Sequence, residues 1–266
     1  MTRRLRPLLV LVTLFVALAP VAFLVLASLS PGTSFSISLS GRTVAAYTTI
    51  LGDSSITASL TLTAIVSALA AVVTVVLALP AAYAFARVPF RGSDALASSL
   101  LSAWLLPQIF IALAFFTFAA DNGLYGKPYF MVFFGILQAI PLSVWVLRSF
   151  LAEVPREIDE AALLDGASMP TFFLRVLLPV AAPSIAATAG YAFLLSWQMY
   201  LYPLVYLSTG QTQMAAVGVS NFVGQWSTNY PQMMAYSVLI TAPLVLVFLL
   251  VQRYIVSGLT SGSVNA

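Results

Sequence analysis

The chain has 266 residues, of which 61% are hydrophobic and 7% charged, with a formal net charge of +3 and a mean hydropathy of +1.01. So apolar a composition excludes a soluble globular domain and points to a polytopic membrane protein. Cysteine and histidine are both absent, which removes disulfides and thiol chemistry, the commonest metal ligand and the commonest general base.

In chain order, Arg3, Arg4 and Arg6 precede an apolar run over about 8–29. A bilayer span needs about 20 such residues, and the hydrophobic region of a cleavable signal peptide only about 7–15. We therefore expect a retained first span. Residues 30–55, rich in Ser, Gly and Thr with Arg42 and Asp53, read as an external loop. A second span is expected over about 56–85, closed by Arg87, Pro89, Arg91 and Gly92, and a third over about 95–119, broken by Pro107. Asp121-Asn122-Gly123 makes a short turn. The fourth span, about 129–150, contains Pro141; a charged loop follows at 153–183. The fifth, about 184–207, leads into a polar loop at 208–232, and the sixth, about 233–256, contains Pro243 and precedes a small polar tail. No internal repeat is visible, so residues 1–266 read as one all-α membrane domain.

Charge orients the six spans. Arg3, Arg4, Arg6, Arg87, Arg91, Arg148, Arg156, Arg175 and Arg253 fall on one set of loops, and only Arg42 and Lys127 on the other. The N-terminus, the C-terminus and the loop at 153–183 are therefore expected on the cytoplasmic side. Topology accounts for the basic residues, so no nucleic-acid partner is implied. Gly126-Lys127-Pro128 lacks the surrounding glycines of a nucleotide-binding loop, so any ATP must be bound by another chain.

Five of the eight acidic residues lie between Glu153 and Asp165. Pro155 sits ahead of a helix start, and Glu157, Asp159 and Glu160 suit the positive end of a helix dipole. Ile158, Ala161, Ala162 and Leu164 give the helix one small apolar face. Gly166 falls where a helix C-terminus favours a residue tolerating positive φ. Ser168 can cap a second helix with Pro170 in its first turn, and we expect Pro179 and Pro183 to end it. The bland alternative is an ordinary helix–turn–helix loop.

Glu160-Ala161-Ala162, three residues, Gly166, nine residues and Val176-Leu177-Leu178-Pro179 closely resemble the EAA signature of binding-protein-dependent ABC importer permeases, departing only in Val176 for isoleucine. The resemblance implies a type I ABC importer permease fold with six transmembrane helices and a cytoplasmic coupling helix pair. In such permeases this pair docks in a cleft of the ATPase subunit, which here assigns Glu160, Ala161, Ala162, Asp165, Gly166, Leu178 and Pro179 to coupling. Leu79-Pro80-Ala81-Ala82-Tyr83-Ala84-Phe85-Ala86-Arg87, Pro141 with Leu147-Arg148, and Gln252 to Gly262 resemble the smaller maltose-type permease of the carbohydrate branch. That implies a sugar or sugar derivative delivered by an external solute-binding protein. It also implies a second homologous permease, an ATPase dimer that holds ATP and magnesium, no cofactor in this chain, and residence in a bacterial inner membrane. In the branch the fifth span often carries Trp-Asn and an acid. Here Trp197 is followed by Gln198, Met199 and Tyr200, so the asparagine is replaced and the acid missing, and this motif does not name a particular substrate.

No acidic residue falls inside an expected span, and no buried charge is expected there. Gln108, Gln138 and Gln198 are the intramembrane polar candidates, with Trp197 and Tyr200 or Tyr202 as stacking faces for a neutral, hydroxyl-bearing solute. Their alternative role is as ordinary interhelical glue, and Tyr202 and Tyr206 are equally suited to an interfacial belt. The loop at 208–232 is longer than a simple connector, and Gly210, Gln211, Thr212 and Gln213 offer an uncharged, amide-rich tip. The resemblance implies that this tip reaches the docked binding protein; the competing reading is a loop packed on its own helices. A permease of the same type for a non-sugar solute fits the same features. An ion-coupled carrier would require ionisable groups in spans, and an intramembrane enzyme a nucleophile–base pair or metal ligands.

Overall fold

The computed structural model describes residues 2–33, 41–88, 90–207, 213–224 and 228–261. It is built from helices: α1 (Thr2–Ser28), α2 (Ala45–Gly52), α3 (Ser54–Arg87), α4 (Ser93–Ala103), α5 (Gln108–Ala114), α6 (Phe116–Asp121), α7 (Tyr129–Glu153), α8 (Glu157–Leu164), α9 (Met169–Phe172), α10 (Leu178–Trp197), α11 (Leu201–Tyr206), α12 (Ala215–Gly218) and α13 (Tyr230–Ser261). Five helical stretches among the described residues are long and apolar enough to cross a membrane: Leu9–Ser28, Ser54–Arg87, Tyr129–Glu153, Met169–Trp197 and Tyr230–Arg253. The pair α4 and α5, bent by 94°, makes a sixth if it is counted as one span.

Contacts divide the chain into two compact units, Met1–Leu60 with Ala215–Pro243, and Thr61–Met214 with Leu244–Ala266. In the first, Ala46, Ile50, Ala235 and Tyr236 form the buried core. Residues 30–55, expected as a plain loop, contain α2. Its Ala46 and Ile50 are a four-residue repeat that places both on one helix face. Asp53 opens α3: its carboxylate accepts from the Ser55 N–H (2.8 Å) and hydroxyl (2.7 Å). The Ser55 hydroxyl, followed by the N–H, holds that carboxyl below its ordinary range. The expected polar loop at 208–232 is likewise folded where described. α12 and a 3₁₀ turn at Val219–Phe222 bury Ala215 and Val217, and the Tyr236 hydroxyl donates to the Ala215 carbonyl at 3.1 Å. Gly218 is required there, because a Cβ would lie 2.4 Å from that hydroxyl.

The second unit packs α3, α7 and α10 on small residues. A Cβ on Gly135 of α7 would meet the Ser196 hydroxyl at 2.6 Å and the Ala70 Cβ at 2.8 Å, so the three helices approach closely at this point. Around one end Phe134 stacks on Tyr202 with ring centroids 4.1 Å apart, and Phe130, Met131, Met199, Tyr206 and Met214 complete a buried cluster. Around the other, Ala78, Ala82, Leu147, Leu151, Ala162, Phe172 and Leu177 form a second cluster that includes the charged loop.

Prolines act differently at different places. Pro80, Pro141 and Pro243 lie inside α3, α7 and α13 without ending them. Pro107, expected to break the third span, is the N-cap residue of α5, and α4 and α5 meet there at a bend of 94°. The expected stop at Pro179 and Pro183 does not occur. A π-helical turn at Phe173–Leu177 joins α9 to α10, and the helix continues through both prolines to Trp197. The wider turn takes up the register change that a missing N–H and a proline ring demand. The fifth helical stretch therefore begins well before residue 184. It also breaks at Gln198–Tyr200, because Pro203 in the first turn of α11 would clash with the carbonyl four residues earlier in a continuous helix.

Candidate functional site

The loop after α7 folds as a compact helix pair. Glu157, Asp159 and Glu160 occupy the first turn of α8. At its other end Gly166 has φ +73°. The Gly166 N–H donates to the Leu163 carbonyl and the Ala167 N–H to the Ala162 carbonyl, both at 3.0 Å. That is the paired bonding of a Schellman turn, which satisfies two of the helix's orphan carbonyls. Ser168 takes the N-cap position of α9 with extended backbone, but its hydroxyl bonds the Thr171 hydroxyl at 2.9 Å rather than a backbone N–H.

The two faces of α8 differ. Ala162 is buried and Ile158 half-buried, on the inward side. Glu160, Ala161, Leu163, Leu164, Asp165 and Gly166 are exposed, with Leu164 at 89%. Ala161 and Leu164, expected on the same apolar face as Ile158 and Ala162, therefore lie on the outer one. Met169, Leu174 and Leu178 extend the exposed apolar surface past the turn, and Pro179 is exposed beside Leu178. Exposed apolar groups thus lie beside Glu160 on helices pinned from behind.

What pins them was not among the residues singled out in the sequence. Arg87, the last residue of α3, sends its guanidinium under α8. Its Nε lies 2.9 Å from Asp159 Oδ2, with the two side chains only 7% and 13% exposed, and its Nη2 donates to the Val154 carbonyl at 2.7 Å. One turn earlier, Tyr83 packs against Phe172 and Phe173, at 5.5 and 5.2 Å between ring centroids. In the sequence Arg87 closes the second span, helps orient the chain and ends the Leu79–Arg87 stretch, but a pairing with Asp159 across so many residues leaves no local signal.

Of the intramembrane candidates, Gln108 and Gln138 line one cavity of about 320 Å³, with Trp104, Pro107, Ile111 and Tyr202 among its walls. The bend between α4 and α5 opens it. Trp197 is buried and stacks on Phe193, so it does not share that cavity. Gln198 and Tyr200 are exposed in the break after α10. Gln213 is half-buried beside the fully buried Met214; Gly210, Gln211 and Thr212 lie outside the described residues. No cluster of three or more acidic side chains suited to a metal ion occurs among the described residues.

Comparisons with known proteins agree on one kind of molecule. A family model described as binding-protein-dependent transport system inner membrane component matches residues 75–261. The chain is 32% identical over 202 residues to the trehalose/maltose transport system permease protein MalG of Thermococcus litoralis, covering 76% of this chain and 73% of that one. It is 33% identical over 196 residues to the trehalose transport system permease protein SugB of Mycobacterium tuberculosis, covering 73% and 72%. It is 29% identical over 201 residues to the diacetylchitobiose uptake system permease protein DasC of Streptomyces coelicolor, covering 76% and 73%. A crystal structure of a bacterial ABC transporter that imports the acidic polysaccharide alginate shares the fold, with a TM-score of 0.75 over 95% of this chain and 96% of that one at 19% identity.

Proposed function

Because the chain belongs to the family of binding-protein-dependent transport inner membrane components, we propose that it is the permease of an ATP-driven importer for a neutral sugar or sugar derivative. The observation that carries the mechanism is the helix pair at α8 and α9, with Glu160 and Leu164 outward. ATP and magnesium are held by a dimer of separate ATPase subunits, and α8 docks in a cleft on one of them. When those subunits close on ATP, α8 moves and the helices rock around a central path. No covalent step occurs in this chain.

A second, homologous permease completes the path, and an external solute-binding protein delivers the solute. The N- and C-termini and the helix pair face the cytoplasm, as the distribution of arginines favours. Sugar as the cargo is supported by the relatives, which are named for trehalose, maltose and diacetylchitobiose. It is also supported by the cavity, whose Gln108 and Gln138 offer hydrogen bonds without charge.

The experiment that tests docking is co-purification of the ATPase with the wild-type chain and with Glu160→Lys. Reversing the charge is expected to weaken the association at least tenfold, a modest change for a charge facing a partner, while membrane insertion is unchanged. Undiminished co-purification would remove α8 as the docking element. Binding of trehalose, maltose and diacetylchitobiose to the cognate solute-binding protein tests the cargo.

A further inference from the structure

One guanidinium stands where three elements meet. Arg87 ends α3, Val154 is the C-cap of α7, and Asp159 lies in the first turn of α8. The Val154 carbonyl and the Asp159 carboxylate both contact Arg87, so both ends of the α7–α8 link are fastened to the end of α3. The chain itself connects the helix pair only to α7 and, through the π-helical turn, to α10. α3 is not joined to the pair by a connecting loop; these polar contacts, the Tyr83 rings and the apolar cluster that Ala78 and Ala82 share with Ala162 and Phe172 join them. The pair is nearly fully desolvated, which suits arginine, a planar donor that stays charged. A buried ion pair of this kind adds little net stability over apolar packing but leaves a costly unpaired charge when one partner is removed. It therefore favours one geometry strongly over others.

We propose that Arg87 is a positioning residue for coupling: held to Asp159 and Val154, it makes α3 travel with α8 when α8 is displaced. This rests on the reading that α8 docks on an ATPase. Without the latch, motion of α8 reaches α7 and α10 through the chain, while only non-directional apolar packing, which can slide, couples it to α3.

Absence of native cysteine makes the test clean. Spin labels are placed at Val76→Cys on α3 and Glu157→Cys on α8, both exposed positions, in the complex assembled with cysteine-free partner subunits. The distance between them is measured with and without ATP. With Arg87 present it is expected to be the same in both states. In Arg87→Gln it is expected to match the wild type without ATP and to shift by about 5 Å with ATP, the scale of a one-turn slip between packed helices. The exchanged pair Arg87→Asp with Asp159→Arg re-forms the ion pair but not the bond to the Val154 carbonyl, since a carboxylate cannot donate, and is expected to reduce the ATP-dependent shift below that of Arg87→Gln.

An unchanged distance in Arg87→Gln with ATP would overturn the proposal. So would a distance already altered without ATP in both the single and the exchanged variants, which is the signature of a merely structural pair. Failure of the ATPase to co-purify with the wild-type chain would instead refute the docking reading, and it is scored on the same samples.

Discussion

Gly166→Val isolates the turn between α8 and α9 from everything around it. Gly166 has φ +73°, and a Cβ built there meets no atom within 4 Å. The substitution therefore adds no clash with neighbours, and its whole cost is the left-handed backbone. A Cβ in that region costs about 1–2 kcal/mol, and a β-branched one belongs at the upper end or beyond it because it is a genuine outlier there. A penalty of about 2 kcal/mol reduces the fraction of molecules with the turn formed roughly 30-fold relative to the competing open forms. Two hydrogen bonds depend on this conformation, Gly166 to Leu163 and Ala167 to Ala162, so the end of α8 frays and Leu164 loses its fixed position. Solute uptake in vesicles and ATPase co-purification should both fall, whereas insertion should not, since the long apolar helices are untouched. Gly166→Ala should be intermediate and Gly166→Asn nearly silent, because asparagine tolerates the left-handed region. If Val behaves as wild type, or Asn is as damaging as Val, the conformational argument is wrong.

Single cysteines at Ser168 and Ser220 should be labelled from opposite sides of the membrane, the first from the cytoplasm; labelling of both from one side would remove the proposed orientation. Gly218→Ala should lower the melting temperature through an overpacking cost of about 1–3 kcal/mol, because its Cβ falls 2.4 Å from the Tyr236 hydroxyl. Adding Tyr236→Phe should recover part of that loss, and a strictly additive double variant would contradict the contact. Gln138→Leu should raise the KM for the imported sugar while leaving assembly intact, since Gln138 shares a cavity with Gln108. An unchanged KM would leave Gln138 as interhelical glue.

Long apolar runs and the glycine turn were legible in the sequence because their causes are local. A run of about 20 apolar residues has few folds open to it in lipid, and Gly166 carries a conformational signal in a single residue. The fate of the prolines was not legible. Pro179 and Pro183 read as helix stops, yet Pro179 falls in the first turn of α10 just after the π-helical turn at Phe173–Leu177, and Pro183 lies inside α10 without ending it; nothing in the spacing of Phe173 to Leu177 distinguishes that turn from an ordinary one. Pro203, unremarked inside the expected fifth span, lies in the first turn of α11 just after the break at Gln198–Tyr200. α2 was hidden for a different reason: eight residues with Ala46 and Ile50 inward are too short a period to stand out beside Ser- and Gly-rich neighbours. In the helix pair, Glu160, Ala161, Ala162 and Gly166 stand out by pattern, whereas the enclosed contact of Asp159 needs Arg87, which only the fold brings near.

The contrast between the two ion pairs bears on how this permease meets changes in cellular salt. Arg148 reaches Asp94 at 2.6 Å, but the Asp94 side chain is 85% exposed, so dissolved ions crowd around it and weaken the attraction. At 0.15 M ionic strength the screening length is about 8 Å and at 1 M about 3 Å, which acts on that pair and scarcely on the enclosed Arg87–Asp159 contact. The Arg87–Asp159 contact beneath the helix pair is thus shielded from dissolved ions, and the electrolyte-sensitive contact is the one that joins α4 to α7.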